Sequence, residues 1–225
     1  MKKILFLFLL FCSAGTKAQK NNPYGLQIIN DLKAYREYVK ADSSKELLEL
    51  KKYIPGIKLD IRYATKNNFT GQAVYKQARA FARRPVTEAL KNVQDELKKS
   101  GLGLKIFDGY RPYTVTTKFF AIANDKSFVA NPKDGSRHNR GCAIDLTLIN
   151  LKTGKELAMP TPYDSFAPEA ASDFKNLPEE VIKNRELLQT VMEKNNFRVL
   201  NNEWWHFDFI GWRNFELMDI PFEDL

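Results

Sequence analysis

The 225-residue chain predicts an α+β fold, a single domain with a central, mainly antiparallel sheet flanked by helices. Three observations predict it. Segments with helix and strand periodicity are interleaved, their connections are short and hairpin-like, and the regular βαβ spacing of a parallel sheet is missing. No linker or internal repeat divides the chain, and a hydrophobic content of 44% is ample for one core.

The chain opens Met1-Lys2-Lys3, runs apolar over 4–12, and turns small and polar up to Ala18. That is the layout of a secretory signal peptide over residues 1–18, with an A-x-A type site at Thr16-Lys17-Ala18. The apolar centre is too short to span a bilayer, so no integral membrane segment is expected after cleavage. Export, to a periplasm, is expected. The alternative is a lipoprotein through Cys12, for which Phe11 is a poor preceding residue. Cleavage removes Lys2, Lys3 and Lys17 and lowers the formal charge from +8 to +5. A basic exported protein meets anionic envelope polymers first, and no spaced basic and aromatic motif calls for a nucleic-acid partner. Cys142 is then the sole cysteine, so no internal disulfide forms and stability must come from burial.

After the Pro55-Gly56 turn, residues 57–63 alternate apolar and charged side chains, the period of a strand with one buried face that ends at Tyr63. A loop rich in Asn, Thr and Gly follows over 64–71. Pro85 opens a helix whose Val86, Leu90, Val93 and Leu97 recur at helical spacing, and Gly101 stops it after Lys98-Lys99. A strand over 102–107 runs into the turn Asp108-Gly109-Tyr110-Arg111-Pro112. A third strand is expected over 142–149, a second long helix over 179–196, and a last strand over 206–210.

The chain has two histidines, and each lies among chemically committed residues: His138 in Ser136-Arg137-His138-Asn139-Arg140-Gly141-Cys142-Ala143-Ile144-Asp145, His206 in Glu203-Trp204-Trp205-His206. Two imidazoles and a carboxylate with one coordination position left open are how hydrolytic zinc is usually held. An extended chain would separate His138 from Asp145 by roughly 23 Å, so a bend at Asn139-Arg140-Gly141 has to fold the histidine back. On the strand, Cys142, Ile144, Leu146 and Leu148 share one face while Asp145 points away from it, which makes Cys142 a small buried apolar residue. Glu203 and His206, three apart, would face opposite ways on a regular strand and share a site only if Glu203 lies in the turn begun by Asn201-Asn202. Asp208 is either an acceptor that orients His206 or a surface carboxylate. Glu203 suits a base that takes the proton from the attacking water. Arg111 suits either a donor to the developing oxyanion or a structural salt bridge.

Ser136-x-His138-x-x-Gly141-x-Ala143-x-Asp145 with Glu203-x-Trp205-His206 resembles the zinc D,D-peptidase superfamily that includes D,D-carboxypeptidases and Hedgehog-like domains. Tyr63-Ala64-Thr65 with Asn68-Phe69-Thr70-Gly71, the Asp108-to-Pro112 turn, and Ile144-Asp145-Leu146-Thr147-Leu148 are similar to the VanX-type D-alanyl-D-alanine dipeptidases in particular. The resemblance implies a Hedgehog/D,D-peptidase-like fold and one zinc ion held by His138, Asp145 and His206. It further implies Glu203 as base and Arg111 at the scissile carbonyl. Tyr63 and Asp164 would hold the substrate's free amino terminus, and Ser136 would contact its carboxyl end. The expected organisation is a signal peptide over 1–18, an N-terminal extension over 19–49 and the dipeptidase domain over 50–225. The expected activity is hydrolysis of the D-alanyl-D-alanine dipeptide in wall-peptide turnover or scavenging. Its alternatives are a D,D-carboxypeptidase acting on longer peptidoglycan peptides and a noncatalytic wall-binding domain.

Overall fold

Among residues 22–225, which the computed structural model describes, each element can be traced to a local cause in the chain. The expected signal peptide and Cys12 lie outside the described residues. Strand β1 (Ile28–Ile29) leads into helix α1 (Leu32–Ala41), begun by Asp31, whose side chain accepts from the Ala34 amide at 2.8 Å. Strand β2 (Leu47–Glu49), a single helical turn α2 (Leu50–Tyr53) and strand β3 (Lys58–Leu59) follow. Strand β4 (Phe81–Arg83) precedes helix α3 (Arg84–Lys98), which has Pro85 in its first turn and buries Val86, Leu90, Val93 and Leu97 as their spacing predicts. Burial of each such side chain stabilises by about 1.5–3 kcal/mol. Strand β5 (Leu102–Asp108), helix α4 (Tyr113–Ile122), strand β6 (Ala143–Asn150), helix α5 (Glu179–Lys194) and strands β7 (Phe197–Leu200), β8 (Glu203–Phe209) and β9 (Leu217–Met218) complete the order.

The main sheet has the order β3-β5-β6-β8-β7, and only the β3–β5 pair is parallel. The fold is therefore α+β with a mainly antiparallel sheet. Helices α3 and α5 lie side by side against β5, β6 and β7. The central strand β6 is buried along nearly its whole length, and Cys142, Ile144, Leu146 and Leu148 belong to one core with α3 and α5 residues. Burial pushes the Cys142 thiol up to about 12, so it behaves as a small apolar residue. Two smaller pairs tie the ends in: β2 with β4, and β1 with β9, where Asp219 N also donates to Ile29 O at 2.8 Å. Residues 28–49, expected as an extension, place Ile29, Tyr35 and Leu47 in the main core. Among the described residues no helix is long and apolar enough to cross a membrane.

Three expectations need correction. The strand expected over 57–63 pairs only at Lys58–Leu59, because the Arg62 carbonyl is taken by the Thr65 amide, the Thr65 hydroxyl and the Asn68 amide, which winds Arg62–Ala64 into a 3-10 turn. The alternation there reports burial of Ile57, Ile61 and Tyr63 rather than a ladder. Helix α5 ends at Lys194, two residues early, and β8 begins at Glu203 rather than at His206.

Candidate metal centre and substrate pocket

Asp145 of β6 stands directly opposite His206 of β8, and Asp108 of β5 stands opposite Asp145 on the other side. The sheet register thus lines up three chemically committed residues in one row. His138 reaches the row from the 3-10 turn His138–Arg140, which Gly141 closes at φ +69 with its amide donating to the His138 carbonyl. A Cβ on Gly141 would lie 2.7 Å from Leu47 Cδ2, so both the backbone conformation and the space call for glycine. This turn shortens the seven-residue separation to ligand distance. His138 Nε2 lies 3.2 Å from His206 Nδ1 and 3.4 Å from Asp145 Oδ1, and His206 Nδ1 lies 3.0 Å from that same oxygen. All three side chains are buried.

The outer nitrogens fix what the inner ones offer. His138 Nδ1 is 2.7 Å from the Gly109 carbonyl, which can only accept, and His206 Nε2 is 3.0 Å from Asp208 Oδ1. Neutral rings donating outward leave both inner nitrogens as lone pairs, facing Asp145 Oδ1, which is buried without a hydrogen-bond partner. Three acceptors turned on one point demand a positive charge there. Without a metal, a proton supplies it: burial opposes charge on His206, but the Asp145 and Asp208 carboxylates beside it outweigh that and push it up to about 10. Burial likewise works to raise the Asp145 carboxyl, yet the two imidazoles hold it below the usual carboxylate range. The donor set, two neutral imidazoles and a carboxylate each with an outer partner, fits a divalent cation of the zinc type.

Around these ligands lies a cleft of about 270 Å³, at the small end for ligand sites, lined by Tyr63, Arg111, Ser136, Asp164 and Glu203 as well as the ligand triad. Every residue picked from the sequence is therefore in one cavity. Glu203 is not in the turn, as its spacing from His206 would require on a regular strand, but begins β8. It pairs with Leu200, whereas the neighbouring Val199 pairs with Phe207, so 204–206 form a bulge that turns His206 back toward it. Glu203 Oε2 then lies 3.6 Å from His206 Nδ1, and burial raises its carboxyl pKa.

Arg111 follows the strand end of β5 and is clamped by Asp108 Oδ2 through Nε at 2.9 Å and Nη2 at 2.7 Å. Its guanidinium lies over Phe119 at 4.8 Å and reaches within 3.9 Å of Asp145 Oδ2. It is salt-bridged and also lines the cleft. Burial disfavours the charge, but Asp108 more than restores it, and the side chain stays a cation. Tyr63 is buried and donates to Asp164 Oδ1 at 3.0 Å, while Asp164 Oδ2 is buried with no partner. Burial, and then Asp145, raise the Asp164 carboxyl well above the usual range. The Ser136 hydroxyl accepts from the His138 amide at 3.2 Å.

Sequence reasoning assigns no role to Asp108, Tyr163 or Asn139. Asp108 clamps Arg111, Tyr163 donates to Asp145 Oδ2 at 2.9 Å, and the Asn139 amide donates to the Arg111 carbonyl and to Thr116 Oγ1. A signal existed only for Asp108, a carboxylate three residues before an arginine in a tight turn.

Three side chains that could hold a metal ion with a carboxylate beside them, on this fold, agree with the class that the chain's relatives define: the protein is an enzyme, a metallopeptidase. The chain belongs to the D-ala-D-ala dipeptidase family (peptidase M15), whose model matches residues 43–221. It is 33% identical over 163 residues to the D-alanyl-D-alanine dipeptidase of Escherichia coli (strain K12), covering 72% of this chain and 84% of that one. It is 30% identical over 200 residues to the D-alanyl-D-alanine dipeptidase of Enterococcus faecalis (strain ATCC 700802 / V583), covering 79% and 94%. It is also 30% identical over 177 residues to that of Streptomyces coelicolor (strain ATCC BAA-471 / A3(2) / M145), covering 68% and 86%.

Proposed function

We propose that the protein is a zinc-dependent D-alanyl-D-alanine dipeptidase that requires a free amino terminus on its substrate. His138, Asp145 and His206 would hold the ion, one per chain. Zinc bound there supplies Lewis acidity, polarising a carbonyl and lowering the pKa of water toward neutrality. The chain's own residues do the rest. Glu203 takes a proton from the attacking water and passes it to the leaving amine as the C–N bond breaks and the C–O bond forms. Arg111, held rigid by Asp108, steadies the charge that builds on the carbonyl oxygen, an effect worth on the order of 10²–10³ in rate. Ser136, which lines the cleft, would contact the substrate's carboxylate.

One observation carries the choice of a dipeptide: the buried, unpartnered Oδ2 of Asp164 in the same small cleft as the ligand triad. A buried carboxylate oxygen without a donor is costly, and a substrate ammonium satisfies it. A longer peptide has no ammonium at that point.

The test is hydrolysis of D-Ala-D-Ala beside its N-acetylated form by zinc-loaded protein, with Glu203→Gln as control. The free dipeptide is expected to be strongly preferred, and the variant to lose about 10²–10⁴ in kcat while still binding zinc. Preference for the blocked substrate overturns the dipeptidase assignment, and undiminished turnover by the variant removes Glu203 from the chemistry. We further propose export, with action on dipeptide released from wall peptides outside the cytoplasm, supported by the composition of residues 1–18. Mass analysis of protein secreted by its native host is expected to find Gln19 at the amino terminus, and an intact leader on the cytoplasmic form alone would refute export.

A further inference from the structure

The two oxygens of Asp145 have different surroundings. Oδ1 faces the imidazoles, whereas Oδ2 accepts a 2.9 Å hydrogen bond from the Tyr163 hydroxyl. Tyr163 is itself held firmly. Its ring is buried, stacked on Phe107 at 4.5 Å and 18°, and met edge-on by Trp205 at 5.6 Å. Two residues earlier in the loop, Thr161 Oγ1 accepts from the indole of buried Trp204 at 3.0 Å. The phenol is thus fixed by packing on strands β5 and β8, independently of the carboxylate it touches.

A carboxylate with both oxygens free can bind a cation through one or through both. One whose second oxygen already accepts a short hydrogen bond is committed to the first, and its plane cannot swing. Resting on the assignment of the metal site above, we propose that Tyr163 is a positioning residue that makes Asp145 a one-oxygen ligand. The Arg111 guanidinium, 3.9 Å from the same Oδ2, favours the same orientation.

The test is Tyr163→Phe in the full mature chain, which keeps the stacked ring and removes only the hydroxyl. Zinc and cobalt affinities are measured by chelator competition, and the visible spectrum of the cobalt form reports coordination number. A 10- to 100-fold weaker affinity is expected, together with a weaker cobalt absorption band as Asp145 adds its second oxygen. A merely structural role for Tyr163 would lower the melting temperature and leave both readouts in place. Unchanged affinity in a folded variant overturns the proposal, and so does weakened affinity with an unaltered cobalt spectrum. Failure of the unsubstituted protein to bind zinc or cobalt would instead refute the metal site itself, so the two failures are distinguishable.

Discussion

Replacing Asp164 by Asn tests how the cleft recognises the amino end of its substrate. Asparagine has nearly the same shape, tolerates the left-handed backbone at this position (φ +62), and keeps an oxygen to accept from Tyr63. Only the charge facing the cleft is lost. A hydrogen bond to a charged group contributes about 1.5–3 kcal/mol, and 1.36 kcal/mol is tenfold in rate. The expected loss in kcat/KM on D-Ala-D-Ala is therefore roughly 10- to 150-fold, carried mainly by KM because the ammonium stays bound through the reaction. On N-acetyl-D-Ala-D-Ala, which has no ammonium, the loss should be under about twofold. Steady-state kinetics on the two substrates make the comparison. Stability should not fall: burial and then Asp145 raise this carboxyl's folded-state pKa, so its ionisation opposes folding at neutral pH, and asparagine removes that opposition. Equal losses on both substrates, or none on the free dipeptide, would show that Asp164 does not read the amino terminus.

Stripping the metal by chelation should abolish turnover and lower the melting temperature. At a metal concentration 100 times Kd, binding contributes about 2.7 kcal/mol, or roughly 5–11 °C for a domain of this size, measurable by calorimetry. Full activity in protein shown to be metal-free would refute the assignment. Gly141→Ala should cost roughly 1–3 kcal/mol in a urea melt, because φ is +69 and the new Cβ meets Leu47 Cδ2 at 2.7 Å. The same variant should bind zinc more weakly because His138 rides on that turn, and a neutral outcome would mean that neither the backbone conformation nor Leu47 demands glycine there.

The cluster of His138, Asp145 and His206 was legible because two histidines leave few choices, and α3 because its apolar residues keep a helical period without interruption. Helix α4 was not legible. Its segment is rich in β-branched residues, and its first turn is capped by Asp219, 105 residues away, which accepts from both Thr114 N and Thr114 Oγ1 at 2.9 Å. The bulge at 204–206 carries no glycine or proline to announce it, so the spacing of Glu203 and His206 pointed to a turn running through Glu203, whereas the turn ends at Asn202. Tyr163 was hidden for a different reason. Its partner is 18 residues distant, and nothing local tells a hydroxyl that orients a ligand from one that fills a core.

The pairing of Ile28–Ile29 with Leu217–Met218 has a consequence for biogenesis. Strand β9 packs against the turn that carries His138, and Arg140 on that turn is bonded to the Phe215 carbonyl. A nascent chain emerging from its amino end therefore cannot complete the seat of the His138 turn until residues 215–218 have been synthesised, and a product terminated before them is expected to be inert rather than partly active.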